Sequence, residues 1–192
     1  MPFSYERSDD DICAKCLIDP PIHDSVHAVV RYDEISSQIA MRLKYGTRLG
    51  LAKLIAIHLS RFVSDAHNKI IIPVPLHRKR LWARGFNQSV LIGRTLSEMT
   101  QISMIDDAIK RTKETPPLRG LTAKQRAKII SGVFALSVRN QKDLAGRDIL
   151  LIDDVYTSGA TANGCAKLLK KAGAKSVTVL CWARVFGDWE AI

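Results

Sequence analysis

Two kinds of apolar run alternate along this chain. Short unbroken runs bounded by turn residues read as buried strands: "HAVVRY" (27–32), "KIIIPVP" (69–75), stopped by Pro73 and Pro75, "GVFAL" (132–136), "RDILLIDD" (147–154) and "SVTVLCWA" (176–183). Between them lie stretches with helical spacing. "SSQIAMRLKYG" closes at Gly46, and "LGLAKLIAIHLSRFV" carries apolar residues on more than one face. "FNQSVLIGRTLSEM" places Val90, Leu91, Ile92 and Leu96 for packing, "TAKQRAKII" has Thr122 as its N-cap, and a helix over 160–172 ends at Gly173. Strands that are apolar throughout are buried on both faces. With the strand–helix alternation, this predicts an α/β fold, a mostly parallel central sheet flanked by helices. No repeat or flexible linker interrupts the pattern, and 192 residues at 46% hydrophobic suit one main domain.

The run "ILLIDDVYTSGATANG" (149–164) breaks the apolar pattern in an unusual way. Asp153 stands beside Asp154, where like charges repel, and Thr157, Ser158, Gly159, Ala160 and Thr161 follow before the next helix. Ligands of open parallel sheets collect beyond the carboxyl ends of the strands, where helix N-termini point. A "TSGAT" turn there would offer free N–H groups, a positive dipole end, three hydroxyls and a glycine that lets the backbone approach closely, which together describe a phosphate cradle. Carboxylates beside a phosphate make sense if they face sugar hydroxyls or a magnesium ion on the same ligand. The pattern therefore points to a sugar phosphate. Neither the Gly-x-x-x-x-Gly-Lys-Ser/Thr of a P-loop nor a Gly-x-Gly-x-x-Gly turn is present here. Simple helix capping accounts for one aspartate and one threonine but not for the string.

Charge sharpens this picture. The 29 Lys and Arg against 19 Asp and Glu leave a net +10, which favours anionic partners such as nucleic acid or a polyphosphate metabolite. Two basic stretches carry much of it. One holds Arg78, Lys79, Arg80 and Arg84; the other runs from Lys110 to Lys128 with Glu114 as its single acid. Trp82 and Phe86 are the only rings near them, short of the aromatic interleaving of a base-stacking surface. No run approaches the roughly 18 apolar residues of a membrane span, and the first residues lack a secretory apolar stretch, so a cytoplasmic location is expected. Four cysteines in that compartment do not imply disulfides, and Cys165 and Cys181 read as inert core thiols.

"ILLIDDVYTSGAT" resembles the 5-phosphoribosyl-1-pyrophosphate binding motif of type I phosphoribosyltransferases: an aliphatic strand, two acids, an aliphatic residue, then Thr/Ser-Thr/Ser-Gly-x-Thr. "IIPVPLHRKRLWARGFNQS" (71–89), the stretch 111–136, "MRLKYGTRLGLAKLIA" (41–56) and the early "CAKC" resemble the ComF family, a branch of that superfamily tied to competence for DNA uptake. The similarity spans nearly the whole chain.

It implies a type I phosphoribosyltransferase-like domain over 27–192, in which residues 157–161 hold the 5-phosphate and Asp153 and Asp154 contact the ribose hydroxyls. The loop Leu76, His77, Arg78, Lys79, Arg80, with Arg84 beside it, would take the pyrophosphate. The stretch from Arg111 to Arg126 would close over the reaction centre as a hood, with Arg111 and Arg126 in catalytic positions. Magnesium would bridge pyrophosphate and ribose hydroxyls, and catalysis would rest on stabilising the departing pyrophosphate and excluding water, with no side-chain nucleophile. In the hood, Pro117-Leu118 stands where the family reads Pro-Gln, and Ile129-Ile130 where it reads Asn-Val, departures that bear on turnover more than on binding. Tyr156 stands where an aliphatic residue or threonine is common, a tolerable change.

Residues 1–26 form a separate N-terminal segment with a zinc-knuckle remnant, Cys13 and Cys16. A closed zinc site needs four ligands. Three readings stand open: a further segment supplies the missing pair, His23 and His27 complete the set, or no zinc is bound; a redox pair is a fourth. Two functions are therefore expected as rivals. One is a magnesium-dependent phosphoribosyltransferase of nucleotide metabolism. The other is a non-catalytic competence factor that binds single-stranded DNA or proteins of the uptake machinery through a basic cleft.

Overall fold

The structure is a computed structural model that describes residues 20–45, 50–116, 122–137 and 141–186. Its chain order is β1 (Ser25–Arg31), α1 (Glu34–Tyr45), α2 (Gly50–Ser60), β2 (Lys69–Pro73), α3 (Arg78–Arg84), α4 (Gln88–Thr100), β3 (Ile109–Arg111), α5 (Ala123–Ile130), β4 (Phe134–Leu136), α6 (Gln141–Leu144), β5 (Asp148–Tyr156), α7 (Ala160–Lys171) and β6 (Ser176–Arg184). Four strands make one sheet in the order β1-β6-β5-β2, with every pairing parallel. The short β3 and β4 pair antiparallel as a separate two-stranded unit.

The unbroken apolar runs are explained by the pleat. Successive side chains of a strand point to opposite faces, and here each face meets its own helical layer. Ile149 and Leu151 of β5, Ile70 and Ile72 of β2, and Val177 and Val179 of β6 pack against α7 residues Ala162, Cys165, Ala166 and Leu169. Leu150 and Ile152, Ile71, Leu180 and Trp182 pack on the other side with Leu43, Ile55, Leu59, Ile92 and Leu96 from α1, α2 and α4. Each fully buried Leu or Ile contributes roughly 1.5–3 kcal/mol. An unpaired carboxylate inside either layer would cost more than one such residue returns, so the acids of β5 flank its apolar run Ile149–Ile152, and the buried Asp154 is paired.

Caps set the helix ends much as their residues suggest. Thr122 and Gln125 form a reciprocal capping box at α5. Asp33 Oδ1 accepts from the Ser36 N–H while the Asp33 N–H donates to Ser36 Oγ, each at 2.7 Å, starting α1. Helix α7 ends at Lys171, ahead of Gly173 at φ 91°.

Three elements differ from expectation. Arg78 to Arg84 form a helix rather than a loop, so only Val74 to His77 bridge from β2. The hood begins as strand β3, whose three residues give too short a pattern to read. Strand β5 runs on to Tyr156, two residues past the acid pair. Among the described residues no helix is long and apolar enough to cross a membrane.

Candidate functional site

The period of β5 separates the two aspartates. Asp153 continues the face of Ile149 and Leu151, toward α7; Asp154 continues the face of Leu150 and Ile152, toward α1 and α4. Asp154 is 5% exposed, and its Oδ2 lies 2.9 Å from Lys44 Nζ and 3.5 Å from Gln88 Nε2. Burial pulls the Lys44 pKa down, but the charge and hydrogen bond of Asp154 outweigh it and hold the amine above its ordinary value. Among the described residues no cation is hydrogen-bonded to Asp153. Burial, and then the charge of Asp154, push its carboxyl well above the usual carboxylate range, with Lys44 offsetting only part. Its Oδ1 accepts from the Asp154 N–H at 2.9 Å, and Asp154 Oδ1 accepts from the Val155 N–H at 2.9 Å.

Beyond Asp153 the chain turns. Gly159, at φ 78°, is the N-cap of α7, and its carbonyl accepts from the Asn163 N–H at 2.8 Å. The first amides of α7 have no carbonyl partner inside the helix. The Ser158 hydroxyl is buried without a hydrogen-bond partner among the described residues. A Cβ at Gly159 would run into the Tyr156 hydroxyl and lie 2.9 Å from Tyr156 Cζ, so the position is closed to side chains on both steric and backbone grounds. Thr157, Ser158, Gly159, Ala160 and Thr161 line a recess together with Asp153 and Arg126. An orphan buried hydroxyl and free helix amides in one concavity suit an anion with several acceptor oxygens.

The two basic stretches meet beside this recess. His77 bridges to Arg111 in the parallel sense, joining the end of the β2 loop to β3. Arg80 Nη2 donates to the Thr115 carbonyl at 3.1 Å, and Lys79 Nζ pairs with Glu114 Oε2 at 2.6 Å. The Arg111 guanidinium donates to Thr115 Oγ1 and lies 5.6 Å over the Phe134 ring, while its Nε is buried without a hydrogen-bond partner among the described residues. Burial first, then Arg80, lower its pKa, and Asp153 is among the charges acting the other way. The hood is seated on α7: a Cβ at Gly164 would lie 3.0 Å from Phe134 and 3.1 Å from Ile130. The geometry thus assembles Asp153, residues 157–161, Arg111 and Arg126 at one strand end, with His77 and Arg80 adjoining.

Other predicted residues fall elsewhere. Leu76 is half-buried, and Arg78 and Lys79 are exposed on the first turn of α3. Arg84 faces α1: its guanidinium lies 4.9 Å over the Tyr45 ring and 3.4 Å from Gln88 Oε1, on the Asp154 side. Cys13, Cys16 and the hood residues Pro117 and Leu118 lie outside the described residues. The zinc reading that uses both histidines meets competing partners: His23 Nε2 is 2.9 Å from the Tyr156 hydroxyl, and His27 stacks on Phe62 at 5.2 Å. Cys165 and Cys181 are buried, and burial first pushes both thiols far up, as core thiols should be. Sequence reading missed Lys44 and Gln88, which act across the sheet and have no local signal, and it undervalued Tyr156, whose role depends on Gly159 and His23.

Comparison with known proteins gives the family of the chain. The family of phosphoribosyl transferase domains matches residues 90–191. Competence protein F of Haemophilus influenzae is 34% identical over 179 residues, covering 90% of this chain and 78% of that one. The DNA utilization protein YhgH of Shigella flexneri is 32% identical over 179 residues, covering 90% of this chain and 77% of that one. Among solved structures, the glutamine phosphoribosylpyrophosphate amidotransferase from B. subtilis is 15% identical, with a TM-score of 0.48, covering 74% of this chain and 30% of that chain.

Proposed function

The chain belongs to the phosphoribosyl transferase domain family, in its competence protein F branch, and from that premise we propose that it binds 5-phosphoribosyl-1-pyrophosphate with magnesium and transfers the phosphoribosyl group with release of pyrophosphate. The observation that carries this reading is the unpartnered Ser158 hydroxyl at the head of α7, in one recess with Asp153 and Arg126. The amides and hydroxyls of residues 157–161 take the 5-phosphate, and Asp153 accepts from a ribose hydroxyl. His77, Arg80 and Arg111 stand where the pyrophosphate would lie. In the transfer, the bond from the anomeric carbon to pyrophosphate oxygen breaks with its electron pair leaving on the oxygen, the acceptor's lone pair forms the new bond, and the acceptor's proton passes to solvent. The cationic side chains stabilise the departing charge, and the hood excludes water.

A hard divalent cation fits this donor set, because oxygen ligands suit magnesium and the charge of Asp153 is offset only in part by Lys44. Asp153 would be the protein's contact to the ion, and the oxygens of the ligand and solvent would complete its coordination. When bound, magnesium neutralises pyrophosphate charge. A cytoplasmic setting belongs to the same proposal; zinc on Cys13 and Cys16 belongs to it only with two further ligands to complete the set of four.

A second reading has one observation in its favour. Trp82 is 83% exposed on α3, beside the exposed Arg78 and Lys79. A ring flanked by cations can stack a base of single-stranded DNA while the charges follow the backbone. This reading accounts for the competence names of the relatives without turnover.

Calorimetric titration with 5-phosphoribosyl-1-pyrophosphate, with and without magnesium, tests the first reading. Magnesium-dependent binding supports it. A folded protein that takes up no ligand in either condition refutes it and leaves the DNA reading in front.

A further inference from the structure

Ahead of β1, residues Ile22 to Asp24 grip helix α7 at both ends. The Ile22 N–H donates to Asn163 Oδ1 at 2.9 Å in the first turn of α7. Asp24 Oδ2 lies 2.8 Å from Lys170 Nζ in the last turn and accepts from the Val177 N–H at 2.6 Å. Between these anchors His23, only 3% exposed, places Nε2 2.9 Å from the Tyr156 hydroxyl, with the two rings edge to face at 84°. Tyr156 is the last residue of β5, and its hydroxyl end is the group that a Cβ at Gly159 would meet. The phenol therefore lies directly against the backbone of the turn that caps α7. Its other neighbours hold it in place: Arg184 lies 5.4 Å over the ring, and the Val185 N–H donates to the Tyr156 carbonyl at 2.9 Å.

We propose that His23 and Tyr156 are positioning residues for the phosphate turn: the strap Ile22–Asp24 fixes His23 against α7, His23 fixes the Tyr156 hydroxyl, and the hydroxyl sets where the backbone of Gly159 presents its neighbouring amides. The inference rests on the phosphoribosyl reading of the site and adds to it a control that the "TSGAT" turn does not contain in itself. A phosphate bound on three or four amides is sensitive to shifts of a few tenths of an ångström, since hydrogen bonds weaken steeply away from their preferred distance and angle. Residues preceding the sheet thereby tune the affinity of a subsite built after β5. The effect is expected on the 5-phosphate half of the ligand, because the contacts of His23 and Tyr156 described above run to each other, to Arg184 and to the Gly159 turn.

That asymmetry provides the test. Binding of ribose 5-phosphate and of inorganic pyrophosphate with magnesium would be measured separately by calorimetry, alongside Tm, for the full chain and for Tyr156→Phe, His23→Ala, His23→Gln and the His23→Ala/Tyr156→Phe double variant. Tyr156→Phe and His23→Ala should each weaken ribose 5-phosphate about five- to tenfold, the effect of about one lost hydrogen bond, with pyrophosphate unchanged. His23→Gln, which returns a polar group near the Nε2 position, should recover most of the loss. The double variant should be no worse than the worse single, the signature of two groups acting as one. Unchanged ribose 5-phosphate affinity in Tyr156→Phe, or an equal loss for both ligands, overturns the proposal; Tyr156→Phe decides the matter if His23→Ala fails to fold. Wild-type protein that binds neither ribose 5-phosphate nor 5-phosphoribosyl-1-pyrophosphate overturns the phosphoribosyl reading itself, and this inference with it.

Discussion

Two adjacent carboxylates at the end of a buried strand look electrostatically wasteful until the pleat is considered. Asp154 belongs to the frame, bound to Lys44 and Gln88, while Asp153 faces the recess and bears the cost of the pair. Lys44→Met should therefore destabilise by roughly 2–3 kcal/mol, somewhat below the loss for a fully buried pair because the Lys44 side chain is 24% exposed. In a chain of this size that lowers Tm by about 5–10 °C in a thermal melt. Asp153 leads to a prediction of opposite sign. A folded-state pKa above the unfolded one means that the folded protein keeps a proton the unfolded chain has released. Stability is then fullest below about pH 3.9, the unfolded value, and falls as pH rises through the higher folded value. Asp153→Asn should remove that slope and raise Tm by about 2–4 °C at pH 8, which melts at pH 5 and pH 8 would show. The acid pair and the hydroxyl- and glycine-rich turn after it are legible in "LLIDDVYTSGAT". The division of labour is legible only from the strand period. Lys44 is invisible, because nothing local in "RLKYG" says which carboxylate the helix will meet.

The element that matters most is the turn from β5 into α7. Gly159→Ala would place a methyl at φ 78° against the Tyr156 ring. Calorimetry on this variant should show 5-phosphoribosyl-1-pyrophosphate binding weakened by at least about tenfold, the equivalent of about 1.4 kcal/mol, because backbone strain of about 1–2 kcal/mol adds to the steric contact. Long elements such as α1, α4, α7 and β5 could be read because many residues repeat one period. The short α3 could not: its N-cap position, His77, makes no side-chain capping bond, so "HRKRLWAR" carries charge but no start signal. Strand β4 is legible in "GVFAL", whereas β3, three residues long, is fixed by its antiparallel pairing with β4 rather than by a pattern of its own.

At the scale of the molecule, the fold converts two basic stretches far apart in sequence into one flank of a single strand end, through the His77–Arg111 bridge and the Arg80–Thr115 hydrogen bond. The net charge of +10 gives no hint of that convergence, which depends on topology. Trp82 offers a way to separate the two proposed activities. Trp82→Ala should weaken single-stranded DNA binding by about 1–3 kcal/mol in a fluorescence titration and leave 5-phosphoribosyl-1-pyrophosphate binding unaltered. A parallel loss of both would mean that α3 serves one common site. The most direct test of the central claim, that one aspartate meets the ligand while its neighbour holds the frame, is to compare Asp153→Asn and Asp154→Asn for ligand affinity and for Tm in one experiment. The structure predicts that Asp153→Asn loses 5-phosphoribosyl-1-pyrophosphate while its Tm holds or rises, and that Asp154→Asn, which strands the Lys44 charge, loses several degrees of Tm. An Asp153→Asn protein that binds the ligand like wild type, or that melts as early as Asp154→Asn, would contradict it.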